Sequence, residues 1–208
     1  MQNLLDTIEY LKNSPVHELI SERIHEFKAI GQESIDSIYK EMCFCIMTAN
    51  CSAERCMDIH ASIGDGFLDL TEERLVKEFK TLGYRFPNIR ANYILAARKY
   101  KENLDLMINE NSGTNELREW LVKNIKGLGY KEASHFLRNI GYSDYAIIDF
   151  HIIDTLVKFK IIERPKTLTK KRYIEIENIL RTIGEKLNLN LDELDLFLWY
   201  LETGKVLK

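Results

Sequence analysis

Apolar positions along this chain recur every three to four residues, and the alternation that marks a β-strand persists nowhere. Leu4, Leu5, Ile8 and Leu11 mark a first helix, stopped at Asn13-Ser14-Pro15. Ser14 is placed to cap a second helix with Pro15 at its first position, and Ile20, Ile24 and Phe27 run along that helix. Ile35, Ile38, Tyr39, Met42 and Ile46 define a third, followed by a break over residues 48–52. Ala53, Met57 and His60 continue as a fourth to Gly64-Asp65-Gly66. Leu75, Phe79 and Leu82 make a fifth, ending at Gly83, and Ile89, Tyr93, Ala96, Ala97 and Tyr100 make a sixth after Pro87. A short helix from Leu104 to Ile108 precedes a loop at Asn111-Ser112-Gly113. Further on, a helix from His151 to Phe159 leads into a basic loop around Pro165. Ile176, Ile179, Leu180, Ile183 and Leu187 form a long helix, and Leu194, Phe197, Leu198 and Leu201 the last, ending at Thr203-Gly204. The pattern predicts an all-α protein with no repeat, no low-complexity tract and no obvious linker.

Between these blocks, the stretch from Asn115 to Ile153 has its own organisation. Leu117, Trp120, Leu121 and Ile125 form one apolar stripe. Lys126-Gly127-Leu128-Gly129-Tyr130 interrupts it, and the two glycines supply backbone angles for a tight reversal. Ala133, Phe136, Leu137 and Ile140 make a second stripe, ended by Gly141. The result is helix, Gly-x-Gly hairpin, helix. Lys131 opens the second helix, and Asp149 follows 18 residues later in the apolar run Ala146-Ile147-Ile148-Asp149-Phe150.

The 208 residues suffice for one large domain or two small ones, and the 45% hydrophobic content can fill a core. No run of 18 apolar residues is present to span a membrane, and the opening MQNLLDTIEYLKNSP is charged and amphipathic, unlike a signal peptide. The four cysteines, Cys43, Cys45, Cys51 and Cys56, fall within 14 residues of helical sequence. That clustering fits buried thiols in a reducing cytoplasm better than a secreted disulfide framework. Two residues apart on a helix, Cys43 and Cys45 face different ways, which disfavours a shared metal. The net charge of −3 argues against a polyanion partner, but the mean conceals a local excess: residues 158–172 hold seven cationic side chains against one acid, Glu163. Lys123, Lys126, Lys131 and Arg138 add cations at the hairpin. From charge alone these are a solvated face or a nucleic-acid surface.

The hairpin stretch resembles the helix-hairpin-helix DNA glycosylases. Their bifunctional members place a lysine just after the Gly-x-Gly turn and an aspartate about one helix and one loop later; Lys131 and Asp149 match both positions. The resemblance to the compact archaeal-type 8-oxoguanine DNA glycosylase/AP lyases covers nearly the whole chain. It runs through CFCIMTAN from Cys43, IGDGFL from Ile63, LGYRF from Leu82, RPKTL from Arg164, IENILR from Ile176 and LDLFLWYLETGKVLK from Leu194. It implies a two-lobed helical glycosylase fold. Residues 34–143 would form a central lobe ending in the helix-hairpin-helix (115–141), and residues 1–33 with 144–208 a second lobe, with DNA in the cleft between them.

The same resemblance implies a chemistry. Lys131 would displace the damaged base at C1′ and leave a Schiff base. Attack needs the neutral amine, which burial, a helix N-terminus and cationic neighbours all favour. Asp149 would take a proton or stabilise charge developing on the sugar. Taken singly, Lys131 is a surface lysine and Asp149 an ordinary N-cap; together, at the family's spacing, they read as a catalytic pair. Lys126, Gly127 and Gly129 would bind a phosphate through the hairpin, whose carbonyls in relatives also hold a monovalent cation, Na⁺ or K⁺. No other cofactor is required. An iron–sulfur cluster is not expected, because the cluster of some relatives uses cysteines after the aspartate and none follows Asp149 here. The nucleotide must be flipped out of the duplex. Asn50 would fill the gap it leaves, or be a simple turn asparagine. Phe86 and Trp199 would stack on the base, or be core aromatics. Lys208 and its carboxylate would recognise the base, or belong to a flexible tail. Phe150 stands where this branch often has arginine, removing a phosphate contact or salt bridge. His135 and His151 read as structural. The expected partner is double-stranded DNA containing 8-oxoguanine, bound by a monomer in the cytoplasm at the nucleoid and not at a membrane. Two alternatives stay open: a related glycosylase for another damaged or mismatched base, and a non-catalytic helix-hairpin-helix DNA-binding protein.

Overall fold

The protein, a computed structural model, is described over residues 1–110 and 115–208. Thirteen helices form among the described residues, and no strand. In order they are α1 (Gln2–Lys12), α2 (Val16–Ile30), α3 (Ile35–Thr48), α4 (Ala53–Ile63), α5 (Gly66–Asp69), α6 (Glu72–Thr81) and α7 (Pro87–Arg98). They continue as α8 (Lys101–Glu110), α9 (Asn115–Asn124), α10 (Tyr130–Asn139), α11 (Phe150–Lys158), α12 (Lys170–Leu187) and α13 (Leu191–Thr203). The loop expected at Asn111-Ser112-Gly113 lies outside the described residues. Among the described residues, no helix is long and apolar enough to cross a membrane.

Two local expectations are corrected, and one short helix, α5, is added to those the sequence predicted. Ser14 does not cap α2. Pro15 takes the N-cap position instead, while the Ser14 hydroxyl, one residue earlier, donates to the Leu11 carbonyl at 2.7 Å and accepts the Val16 N–H at 3.4 Å, bridging the end of α1 and the start of α2. The four residues of α5 are too few to show a period, but Phe67 within it is fully buried and lies 5.3 Å from the His60 ring. The sixth predicted helix stops before Tyr100: α7 ends at Arg98, and Tyr100 N–H closes a turn onto the Ala97 carbonyl at 2.9 Å.

Elsewhere the apolar stripes become contacts. Ala133, Phe136 and Leu137 are fully buried, and the α10 face that carries them packs on α3 and α9. Each buried Phe or Leu contributes roughly 1.5–3 kcal/mol through loss of apolar surface to water. The buried residues fall into two clusters. One draws on residues 38–145 and holds α3 at its centre; the other joins Leu4 to Phe27 with Ala146 to Leu198. The α10 helix, which belongs to the first cluster, also packs on α2 of the second. Cys43, Cys45 and Cys56 lie buried in the first cluster, and burial pushes the Cys43 thiol up to about 12.

Candidate active site

A cleft of about 790 Å³ opens where the turn between α3 and α4, the start of α10, the start of α11 and the end of α13 meet. Five of the residues given a catalytic or DNA-contacting role from the sequence line it: Asn50, Lys131, Asp149, Trp199 and Lys208. Lys126, Gly127, Gly129 and Phe86 do not.

Lys131 is the second residue of α10. Gly129, the N-cap, offers no side chain to the first N–H groups of that helix, so its positive end stays open beside the lysine. The Lys131 side chain is a quarter exposed, with Glu132 Oε1 3.9 Å from its Nζ. The hairpin itself depends on one glycine, not two. Gly127 has φ +92°, and a Cβ there would sit 2.7 Å from the Tyr93 ring. Gly129 has φ −84° and ψ −172°, extended backbone that any residue adopts. The carbonyls of residues 126–128 accept no backbone hydrogen bond from the described residues.

Asp149 is indeed the N-cap of α11: its Oδ1 accepts the Ile152 N–H at 3.0 Å. Capping does not compete with a role in the cleft, because it fixes the carboxylate there. The irregular segment 145–149 ahead of it is latched to α12. The Tyr173 hydroxyl donates to the Ala146 carbonyl at 2.6 Å and accepts the Ile148 N–H at 3.2 Å, while the Ala146 N–H donates to Glu177 at 3.1 Å. Glu177 is paired in turn with Arg118, at 2.6 and 2.8 Å, among the rings of Tyr130, Tyr145 and Tyr173.

A second buried network runs along the cleft. Arg138 Nη1 donates to Asp195 at 2.5 Å, and its Nε and Nη2 donate to Asn139 Oδ1 at 3.1 and 2.9 Å. Asn139 Nδ2 donates to Glu41 at 2.6 Å, and Lys208 Nζ reaches the other Glu41 oxygen at 2.5 Å. Burial pushes the Asp195 carboxyl up to about 6; Arg138 opposes this and the Asp149 charge adds to it. Arg138, Asp195, Glu132, Arg85 and His135 all line the cleft. Sequence reasoning missed the first four as site residues and read His135 as merely structural. Burial holds the His135 imidazole well below its usual range, helped by Arg138, Lys131 and Lys208, so the ring is neutral. Among the described residues, its Nδ1 has no hydrogen-bond partner, nor has Trp199 Nε1. His151, also taken as structural, meets the Trp199 ring edge-on at 4.7 Å and lies 3.9 Å from the Phe150 ring, which is 63% exposed at the cleft.

Asn50 has φ +60°, an angle asparagine tolerates better than most residues, and its carbonyl accepts from Arg85 at 3.5 Å. Phe86 packs against the first apolar cluster under two guanidinium groups, Arg85 at 4.9 Å and Arg90 at 5.6 Å, outside the cleft lining. The segment after α13 folds back, so that Lys208 is only 17% exposed and its Nζ lies 4.8 Å above the Phe44 ring.

A lysine in the first turn after a glycine hairpin, lining one cleft with an aspartate that caps a later helix, places this all-α fold in the helix-hairpin-helix glycosylase class. The 8-oxoguanine DNA glycosylase family profile matches residues 20–189. The 8-oxoguanine DNA glycosylase/AP lyase of Methanocaldococcus jannaschii is 53% identical over 206 residues, 99% of each chain. Its namesake from Korarchaeum cryptofilum is 49% identical over 209 residues, 100% of this chain and 99% of its own. The crystal structure of the M. jannaschii protein with a 15mer DNA containing 8-oxoguanine superposes with a TM-score of 0.95 over the full length of both chains. The chain belongs to the 8-oxoguanine DNA glycosylase family.

Proposed function

We propose that this protein flips 8-oxoguanine out of duplex DNA, removes it, and cuts the strand at the resulting site. The observation that carries the reading is the convergence of Lys131 and Asp149 on one cleft in a chain of this family. The Lys131 amine attacks C1′; the C1′–N9 bond breaks, its electron pair leaves with the base, and a proton follows to the base. Sugar-ring opening gives the Schiff base. Loss of the C2′ proton then expels the 3′ phosphate, leaving the strand cut 3′ to the lesion. Asp149, fixed by its capping bond, stabilises the positive charge on the sugar or carries a proton.

Around the pair, Asn50 at the tip of its turn fills the vacated stack, and Trp199 offers the flipped base a flat face. Phe86 reaches that base only if the segment around Arg85 turns toward the cleft. Lys126, Gly127 and Gly129 approach a phosphate at the open end of α10. The carbonyls of residues 126–128 suit a hard monovalent cation, which would brace the turn against that phosphate. The amine and the carboxylate supply the bond-breaking chemistry, with no further cofactor proposed. The two apolar clusters support a division into lobes 34–143 and 1–33 plus 144–208. DNA repair places the protein in the cytoplasm at the nucleoid.

Borohydride trapping tests the reading, on a duplex with one 8-oxoguanine opposite cytosine and on an undamaged control. The expected result is a covalent adduct on the lesion duplex alone, lost in Lys131→Gln. An adduct that survives Lys131→Gln overturns the assignment of the nucleophile. Trapping only on a preformed abasic site moves the substrate to another base.

A further inference from the structure

Glu41 is out of place by composition. It sits on α3 immediately before the run Met42 to Met47, in which every residue is fully buried, and is itself only 3% exposed. An ionised carboxylate there is destabilising unless its oxygens are met by donors and its charge by a cation. Asn139 supplies a neutral donor to one oxygen, at 2.6 Å. Among the described residues, the cation paired with Glu41 is Lys208, at 2.5 Å, delivered by a segment outside any helix. The other ion pair of that segment, Lys205 with Glu54, is more than half exposed on both sides and is screened by solvent. The buried pair therefore decides where Lys208 lies. The Phe44 ring beneath its ammonium adds a second fixed contact, and the main chain of Lys208 faces the His135 ring in the cleft wall.

We propose that Glu41 is a positioning residue for base recognition: from inside α3 it seats Lys208 in the wall of the cleft and so helps to set which base is accepted. This rests on the functional reading above, in which the cleft receives the flipped base. Cleavage at a preformed abasic site needs Lys131 and Asp149 but no base, so the seat acts on excision and not on strand cleavage. Asn139, Arg138 and Asp195 extend the same hydrogen-bonded chain toward Asp149 and hold the seat from behind.

The test compares wild type, Glu41→Gln, Lys208→Gln and the double variant. Single-turnover excision of 8-oxoguanine is measured beside cleavage of a preformed abasic site. In Glu41→Gln, excision falls about tenfold while abasic-site cleavage stays within about twofold. Lys208→Gln shows a similar loss of excision, and the double variant is no slower than either single one, because both break one pair. Equal losses of both activities in Glu41→Gln overturn the proposal, since a general structural defect predicts them. Unchanged excision in Glu41→Gln, with wild type active, overturns it too, as do single losses that multiply in the double variant. A wild type that cleaves abasic sites but leaves 8-oxoguanine in place overturns the functional reading and the proposal with it. If Glu41→Gln does not fold, Lys208→Gln decides: loss of excision supports the seat, and full excision overturns it.

Discussion

Two buried arginine–carboxylate pairs involve α10, one through Arg118 bonded to Ser134 and one through Arg138 of the helix itself, and they differ in what surrounds them. Arg118 and Glu177 are sealed by three tyrosine rings, and neither lines the cleft. Arg138 and Asp195 are nearly as buried, yet both line it, and the hydrogen-bonded chain behind them ends at Lys208. The first pair joins the hairpin's leading helix, α9, to α12 and holds the backbone that delivers Asp149. The second lies against the site. Similar chemistry thus does two tasks. Where the pair is closed to ligand its strength goes into stability; where it meets the cleft it also shapes the charge around the reacting groups.

The largest expected effect breaks the pairs one at a time. Arg118→Leu leaves Glu177 buried without its cation and should lower stability by about 3–5 kcal/mol, read as a lower urea midpoint with an unchanged slope. Arg138→Leu should lower stability comparably. It should also slow excision more, at matched folded fraction, because it leaves Asp195 unpaired beside Asp149. Equal rate losses in the two variants would erase the distinction. A smaller effect sharpens the sealed side. Tyr173→Phe removes the hydroxyl that serves both Ala146 and Ile148 and should lower stability by about 1–3 kcal/mol. A thermal midpoint equal to that of wild type would show that the latch on segment 145–149 holds without it.

The smallest effect concerns the cleft side and pH. Burial depresses the His135 value in the folded state, so this ring favours folding above its unfolded value of about 6.5. As pH falls below that value the unfolded chain takes up a proton that the folded ring refuses, and stability declines toward the depressed folded value. His135→Asn should therefore flatten the acid limb by about 1 kcal/mol between roughly pH 6.5 and 5.5. His60, depressed by burial in the same direction, keeps part of the slope, while Asp192 and Asp195, raised by burial, act oppositely in both proteins and cancel in the difference. Parallel pH–stability curves for variant and wild type would count against a neutral buried His135.

The helices were legible because their signal is local. The stripe Ala133, Phe136, Leu137 and Ile140 needs only the helical period to be read, and all four residues are buried. Lys131 and Asp149 were picked out by the resemblance to the glycosylase family, and the structure brings both to one cleft. Gly127 and Gly129 looked equivalent in sequence, and only the backbone angles told the required glycine from the replaceable one. Glu41, Arg138 and Asp195 carry no such local mark. On a helical wheel each is one more charged residue, and their partners lie 98 and 57 positions away in the chain for Glu41 with Asn139 and Arg138 with Asp195. The helical class, the hairpin and the spacing of Lys131 and Asp149 could be read from the chain alone, since these depend on periodicity and on short connections. Which charges are buried, which of them face the cleft, and where Lys208 comes to rest were decided only by the tertiary structure, because desolvation and ion pairing depend on neighbours that folding brings from distant parts of the chain.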